Sequence, residues 1–303
     1  MIRFLFVLIF LVSTYSSVRA QSCSSVDLRR TPGGRALGDV RNQGAMGWCA
    51  SFTAADLISF KQREKISGLG VAIHWTNRSV NPITWMRRKI NGTVPILENA
   101  SSHTGFVTRS LRGRFQCLER DLPSDDNNAN SLRRTLDKIA DVKKEYDRTE
   151  QCSAPAVQTV RSMFPRLTVP DIMSVLRNSA LQDVHKNLMY RNCRHSYVSV
   201  DSTELSLSKD WAELDRQLSR GNLVAFAYNG RVLQNAHSSD SKMNHTSSFV
   251  GRRMRAGKCE YLVRNSWGRS CNYYDRTYPC EQGNVWVPKE NLIRSAGDFF
   301  YYP

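Results

Sequence analysis

Beyond its first dozen residues, this 303-residue chain has no apolar run approaching the length needed to span a bilayer. None of its eight cysteines lie at the close CxxC spacing of a zinc site, and no paired histidines follow them. No helix-turn-helix, zinc-finger or RNP-type motif is present, which argues against a dedicated nucleic-acid site. There is no internal repeat, and only "SDDNNANS" resembles low complexity. Acidic residues are few: 27 Asp and Glu stand against 43 Lys and Arg, a net charge of +16. The basic residues are spread through stretches such as "MRRK", "SLRRTLDK", "VKKEYDR" and "GRRMRAGK", several alternating with acids, as on solvated helix faces. A field of this sign still attracts anionic membranes, cell walls or nucleic acid without sequence preference.

The N-terminus carries Arg3, an apolar run from Phe4 to Val12, and a polar stretch ending in Val18-Arg19-Ala20. It reads as a signal peptide over residues 1–20, giving an exported chain that starts at Gln21. A lipid anchor on Cys23 is a weaker alternative, because "AQSC" fits a lipobox poorly. Export makes the cysteines informative, since an oxidising compartment lets disulfides persist. They are Cys23, Cys49, Cys117, Cys152, Cys193, Cys259, Cys271 and Cys280. If Cys49 stays free, the other seven cannot all pair. Cys271 and Cys280 enclose a short polar loop and are the first pairing expected. The remaining connectivity cannot be read from sequence, and Cys23, near a flexible terminus, is expected to be left over.

With 41% hydrophobic residues the chain can bury a sizeable core, in one large domain or a two-lobed one. Apolar positions Phe52, Ala55, Leu57, Ile58 and Ile66 mix helical spacings and predict one buried helix over about 48–65, with Gly68 and Gly70 ending the run. Residues 70–104, with Pro82 and Pro95, read as loops and short turns. Leu132, Leu136, Ile139, Val142 and Tyr146 mark an amphipathic helix, and helical patterns follow at 170–189 and 209–219. "NLVAFAY", "SSFVGRR", "KCEYLVRNSW" and "GNVWVP" then read as strands. Helices first and antiparallel strands second predict an α+β, two-lobed protein.

Four blocks, "VDLR" at 26–29, "QGAMGWC" at 43–49, "NHTSSFVG" at 244–251 and "RNSWG" at 264–268, resemble in sequence and order the signature blocks of the papain-like cysteine peptidases. The resemblance implies a papain-like peptidase domain over 21–303. Its helical left lobe would be built on a central helix from Cys49 and its antiparallel β right lobe would span 221–296, with a substrate groove between them. It implies Cys49 as nucleophile and His245 as its imidazole partner, with Asn265 orienting that ring and Trp267 shielding the bond. Gln43, six residues before Cys49, would serve as oxyanion donor together with the Cys49 backbone N–H. Gly105, ahead of "RSLRGRFQCLERDLP", and Trp267 are the positions implied to face substrate.

The chemistry agrees. A thiol attacks an amide as thiolate, and a cysteine at a helix N-terminus feels the positive end of the dipole. An imidazole then holds it as an ion pair and protonates the leaving amine. His237, eight residues before His245, looks like a solvated loop residue, and His74, His103, His185 and His195 have no motif around them. The sequence departs from the family pattern in places. Met46 stands where a disulfide partner is usual, Trp48 and Ala50 look exchanged, and Thr104 replaces a glycine. The interval from Cys49 to His245 exceeds the family's roughly 130–150 residues by about 50, which implies a helical insertion within about 118–205. The segment 21–42 is too short for the usual pro-segment. Sequons at Asn77, Asn91, Asn99 and Asn244, the last beside His245, suggest a host that leaves them bare, hence a bacterial periplasm or secreted fraction. The expected function is an exported cysteine-type endopeptidase, monomeric, needing no cofactor, acting on protein or peptide substrates. A cell-wall peptide amidase and a non-catalytic basic binding protein are the alternatives.

Overall fold

The computed structural model describes residues 23–76, 108, 111, 113–125, 131–195, 197–199, 205–238 and 240–303. The expected signal peptide, Gly105, Thr104, His103 and the sequons at Asn77, Asn91 and Asn99 lie outside them.

In chain order the helices that matter here are α1 (Pro32–Leu37), α2 (Cys49–Gln62), α3 (Gly68–Thr76), α4 (Ser131–Thr149), α5 (Ala154–Met163), α6 (Val169–Asn178), α7 (Val184–Cys193) and α8 (Trp211–Ser219). The strands are β1 (Val26–Asp27), β2 (Phe115–Cys117), β3 (Tyr197–Ser199), β4 (Ser206–Ser208), β5 (Val224–Tyr228), β6 (His245–Arg255), β7 (Lys258–Arg264), β8 (Cys280–Glu281), β9 (Asn284–Pro288) and β10 (Ala296–Tyr301). Among the described residues, eight strands form one antiparallel sheet in the order β4-β10-β5-β6-β7-β9-β8, with β1 added to β6; β2 and β3 pair separately.

α2 is the central helix. Eleven of its residues, Cys49 to Ser59 without a gap, are buried, which explains why its apolar spacing follows no single face: a helix surrounded by protein needs no polar stripe. Leu57 packs into the sheet core with Phe226, Phe249 and Phe299. On another side Phe52 joins Trp48, Leu136, Phe164, Leu176 and Leu188 in the helical core, and Ala50, Ala54 and Ile58 fill a third, smaller cluster. The two lobes therefore meet along this helix. β5 is buried at every position, and Phe226 stacks on Phe249 of β6 at 3.8 Å between ring centroids.

Residues 70–104 were expected to be loop, but 70–76 belong to α3, which begins at Gly68, while 77–104 lie outside the described residues. The glycines there allow close packing instead of ending a helix: a Cβ at Gly68 would stand 3.1 Å from the Phe52 ring, and one at Gly70 3.5 Å from Cys117. α2 ends instead at Arg63, whose φ of 58° is left-handed. The helical pattern at 170–189 divides at Ser179 into α6, which Thr168 and Asp171 start with a capping box, and α7. α4 to α7 fill most of the stretch marked as enlarged.

Three disulfides close the fold: Cys23–Cys259, Cys117–Cys193 and Cys271–Cys280. The last is as expected. Cys23 is not left over, because β1 pairs with β6 and brings the terminal segment beside the β6–β7 hairpin that carries Cys259. The unpaired pair consists of Cys49 and Cys152. No helix among the described residues is long and apolar enough to cross a membrane.

Candidate active site

Cys49 is the first residue of α2. The preceding residue, Trp48, caps nothing with its side chain, and no acid lies in the first turn. The N–H groups that Ser, Thr, Asp or Asn would normally satisfy have no side-chain cap, so the positive end of the helix dipole lies at Cys49 without a competing acceptor on its own first turn. Trp48 itself is fully buried in the helical core. Its exchange with Ala50 therefore places the indole inside the lobe. Met46, standing where a disulfide partner was expected, is also buried there, and its carbonyl accepts the Trp48 N–H at 2.8 Å.

His245 opens β6, paired with Tyr228 of β5. Gly230 approaches it so closely that a Cβ there would lie 3.0 Å from the His245 Cβ, tight enough that a larger residue would press on the ring. The ring meets Tyr228 edge-on at 5.5 Å, and Trp267 lies tilted over it at 5.1 Å. Its Nε2 donates to Asn265 Oδ1 at 2.6 Å. Since a carbonyl oxygen only accepts, this bond puts the proton on Nε2 of the neutral ring and leaves Nδ1 for the thiol. Asn265, immediately after β7, accepts two more hydrogen bonds on the same oxygen, from Ser247 Oγ at 3.1 Å and the Ser266 N–H at 2.8 Å.

Burial pushes the Cys49 thiol up, but the His245 charge and hydrogen bonds from His245 and from the Thr246 hydroxyl and N–H outweigh it and hold the thiol below its ordinary value. His245 mirrors this. Burial pushes it down, and the Cys49 charge, its hydrogen bond to Cys49 and that to Asn265 raise it above the ordinary histidine value. Each group thus favours the charged form of the other, the condition for a thiolate–imidazolium pair.

Gln43 is buried and doubly held. Ser266 Oγ donates to its Oε1, which fixes the amide's orientation, and one N–H of Nε2 goes to the Met46 carbonyl at 2.5 Å. One N–H remains. Backbone pairing joins this segment to the Asn265 segment: Gln43 N donates to Ser266 O at 2.9 Å and Gly268 N to Arg41 O at 2.9 Å.

The structure therefore brings Gln43, Cys49, His245, Asn265 and Trp267 together. His237 is exposed, and its backbone N–H donates to Asn235 Oδ1 at 2.9 Å. His74 is buried and bonded to Tyr190, His185 is buried against the Leu136 carbonyl, and His195 is exposed beside Arg194. Sequence reasoning missed Thr246, Ser247 and Ser266. All three sit inside the quoted blocks, so a question about what hydrogen-bonds each key side chain would have found them.

No family model matches the sequence, and no curated protein matches it. Solved structures do. The cathepsin B S9 proform from Trypanosoma congolense superposes with a TM-score of 0.50 at 13% identity, over 91% of this chain and 75% of that one. The fold is papain-like. Xylellain, a cysteine protease from Xylella fastidiosa, is also similar, with 19% identity, coverage of 91% and 84%, and a TM-score of 0.49. A digestive procathepsin L 3 from Tenebrio molitor larval midgut has 14% identity, coverage of 93% and 71%, and a TM-score of 0.48.

Proposed function

We propose that this protein is an exported cysteine-type endopeptidase. The observation that carries the reading is the mutual stabilisation of Cys49 and His245: a free thiol at an uncapped helix N-terminus, held down by an imidazole whose far nitrogen donates to Asn265.

The Cys49 thiolate attacks the scissile carbonyl carbon, and the carbonyl oxygen takes up the negative charge. The free N–H of Gln43 Nε2 and the Cys49 backbone N–H, which has no intrahelical acceptor, stabilise it. His245 passes its Nδ1 proton to the leaving amine as the C–N bond breaks, which leaves a thioester. A water then gives a proton to His245 and attacks the thioester. The carboxylic acid departs and Cys49 is regenerated as thiolate beside the imidazolium. Asn265 holds the ring plane throughout, and Trp267 covers that bond.

Turnover needs Cys49 ionised and His245 protonated. With the first value lowered and the second raised, activity rises with pH through the Cys49 ionisation and falls as His245 loses its proton. Export is supported by three disulfides and the signal-like N-terminus. The test is labelling with a thiol-directed epoxide, adduct mapping, and hydrolysis of unfolded casein alongside purified wall peptides. A Cys49 adduct with casein turnover supports the reading. A Cys152 adduct, or full hydrolysis by Cys49→Ala, refutes it, and turnover of wall peptide alone would make the enzyme an amidase.

A further inference from the structure

Asp56 lies on α2, seven residues after Cys49 and so about two turns deeper, buried in a helix otherwise walled by apolar and small side chains. A carboxylate there needs partners, and it has two. One oxygen accepts from Arg41 Nη1, the other from Arg264 Nε at 2.9 Å. Both arginines make further hydrogen bonds. Arg41 donates to the Ile66 carbonyl at 2.6 Å and to Glu119 at 3.2 Å. Arg264 donates to the carbonyls of Leu37, Gly38 and Asp39 at 2.8–3.0 Å. Glu119 in turn holds the Ser124 N–H and hydroxyl, and Asp125 and Lys65 complete the charged surroundings of Arg41.

The placement of these arginines is what matters. Arg41 lies two residues before Gln43, and Arg264 immediately before Asn265. The two segments pair directly afterwards, Asn42 bridging Trp267. A single carboxylate on the nucleophile's helix thus grips both the segment that brings Gln43 and the segment that brings Asn265. Buried ion pairs are poor sources of stability, since apolar side chains of similar volume do as well or better. What they provide is a fixed geometry, and here it is fixed at the approach to the site.

We infer that Asp56 is a positioning residue: it locks the helix carrying Cys49 to the segments carrying Gln43 and Asn265, so that nucleophile, oxyanion donor and imidazole acceptor keep their register across the lobes. This rests on the peptidase reading above. A misplacement of about 1 Å at a reacting centre costs up to about 100-fold in rate.

The test is Asp56→Asn, with near-UV circular dichroism to establish folding. The expected result is a kcat lower by at least about tenfold with KM within about twofold, and Cys49 alkylation at pH 6 slowed at least about fivefold as its acid limb moves to higher pH. Asp56→Glu, which restores the charge, should recover the limb. In an Asn265→Ala background the Asp56→Asn effect on that limb should shrink to under about twofold, because both act through His245. If Asp56→Asn does not fold, Arg264→Lys carries the test: it keeps a charge opposite Asp56 but loses the fork to three carbonyls, and the same displacement is expected. A folded variant of either kind with wild-type kcat and an unmoved limb overturns the inference alone. A wild-type protein whose Cys49 reacts no faster than a free thiol and hydrolyses nothing overturns the peptidase reading with it.

Discussion

Gln43→Ala tests the proposed oxyanion donor. Gln43 contributes one N–H to the site, and its other polar atoms are occupied by Met46 and Ser266. Truncation removes that donor and leaves the Ser266 hydroxyl without its acceptor, whereas the Met46 carbonyl keeps the Trp48 N–H. The folding cost is therefore one buried unsatisfied group, about 1–2 kcal/mol, too little to unfold the chain. The catalytic cost is larger. Losing one oxyanion donor costs about 10²–10³ in kcat, about 3–4 kcal/mol of transition-state stabilisation. KM should stay within about threefold, because the ground-state carbonyl carries little charge. Carboxymethylation of Cys49 generates no oxyanion, so its rate should stay within about twofold of wild type. The assay pairs steady-state hydrolysis of a fluorogenic peptide with iodoacetate kinetics on the same preparation. Parallel losses in both would mean that Gln43 acts by holding the helix end and would refute the oxyanion assignment. Unchanged hydrolysis would refute it as well.

Two further outcomes concern stability. Replacing Cys117 and Cys193 by serine opens a link with a sequence separation of 76 that ties β2 to the end of α7; the expected loss is about 4 kcal/mol, read from urea melts, and a loss under about 1 kcal/mol would mean the helices hold that segment unaided. His185 is buried with Nε2 on the Leu136 carbonyl, and burial pushes its pKa down to about 4. Between about 6.5 and 4 the unfolded chain binds the proton and the folded one does not, so stability is lost as the pH is lowered across that window, by up to about 3 kcal/mol. His185→Gln should flatten that part of the melting temperature against pH, and an unchanged slope would place the acid sensitivity elsewhere.

Much of the fold was legible because local chemistry dictates it. α2 follows a glycine-containing turn, α4 carries a clear apolar stripe, and β5, β6, β7 and β9 are rich in Val, Phe, Tyr and Trp. α5 was overlooked although Ser153 and Pro155 mark its start in the usual way. The Cys23 pairing was illegible because it depends on β1 joining β6, and no local pattern encodes a link whose sequence separation is 236. β10 pairs with β5 and β4 across long sequence separations and was missed for the same reason. At the site, Gln43, Cys49, His245 and Asn265 stand in blocks with recognisable spacing. Asp56 reads as a lone acid in an apolar helix until Arg41 and Arg264 are seen to converge on it.

The most direct measurement of the central claim is the pH dependence of Cys49 alkylation from pH 3 to 10 in the wild-type protein and in His245→Ala, with the label located by peptide mapping. In the wild-type protein the reactive form should already be populated well below the ordinary cysteine value of about 8.5, and in His245→Ala the limb should move up toward that value, since only the Thr246 hydrogen bonds and the helix end then oppose burial. A wild-type limb at the ordinary value, unmoved by the loss of His245, would contradict the ion pair on which the account is built.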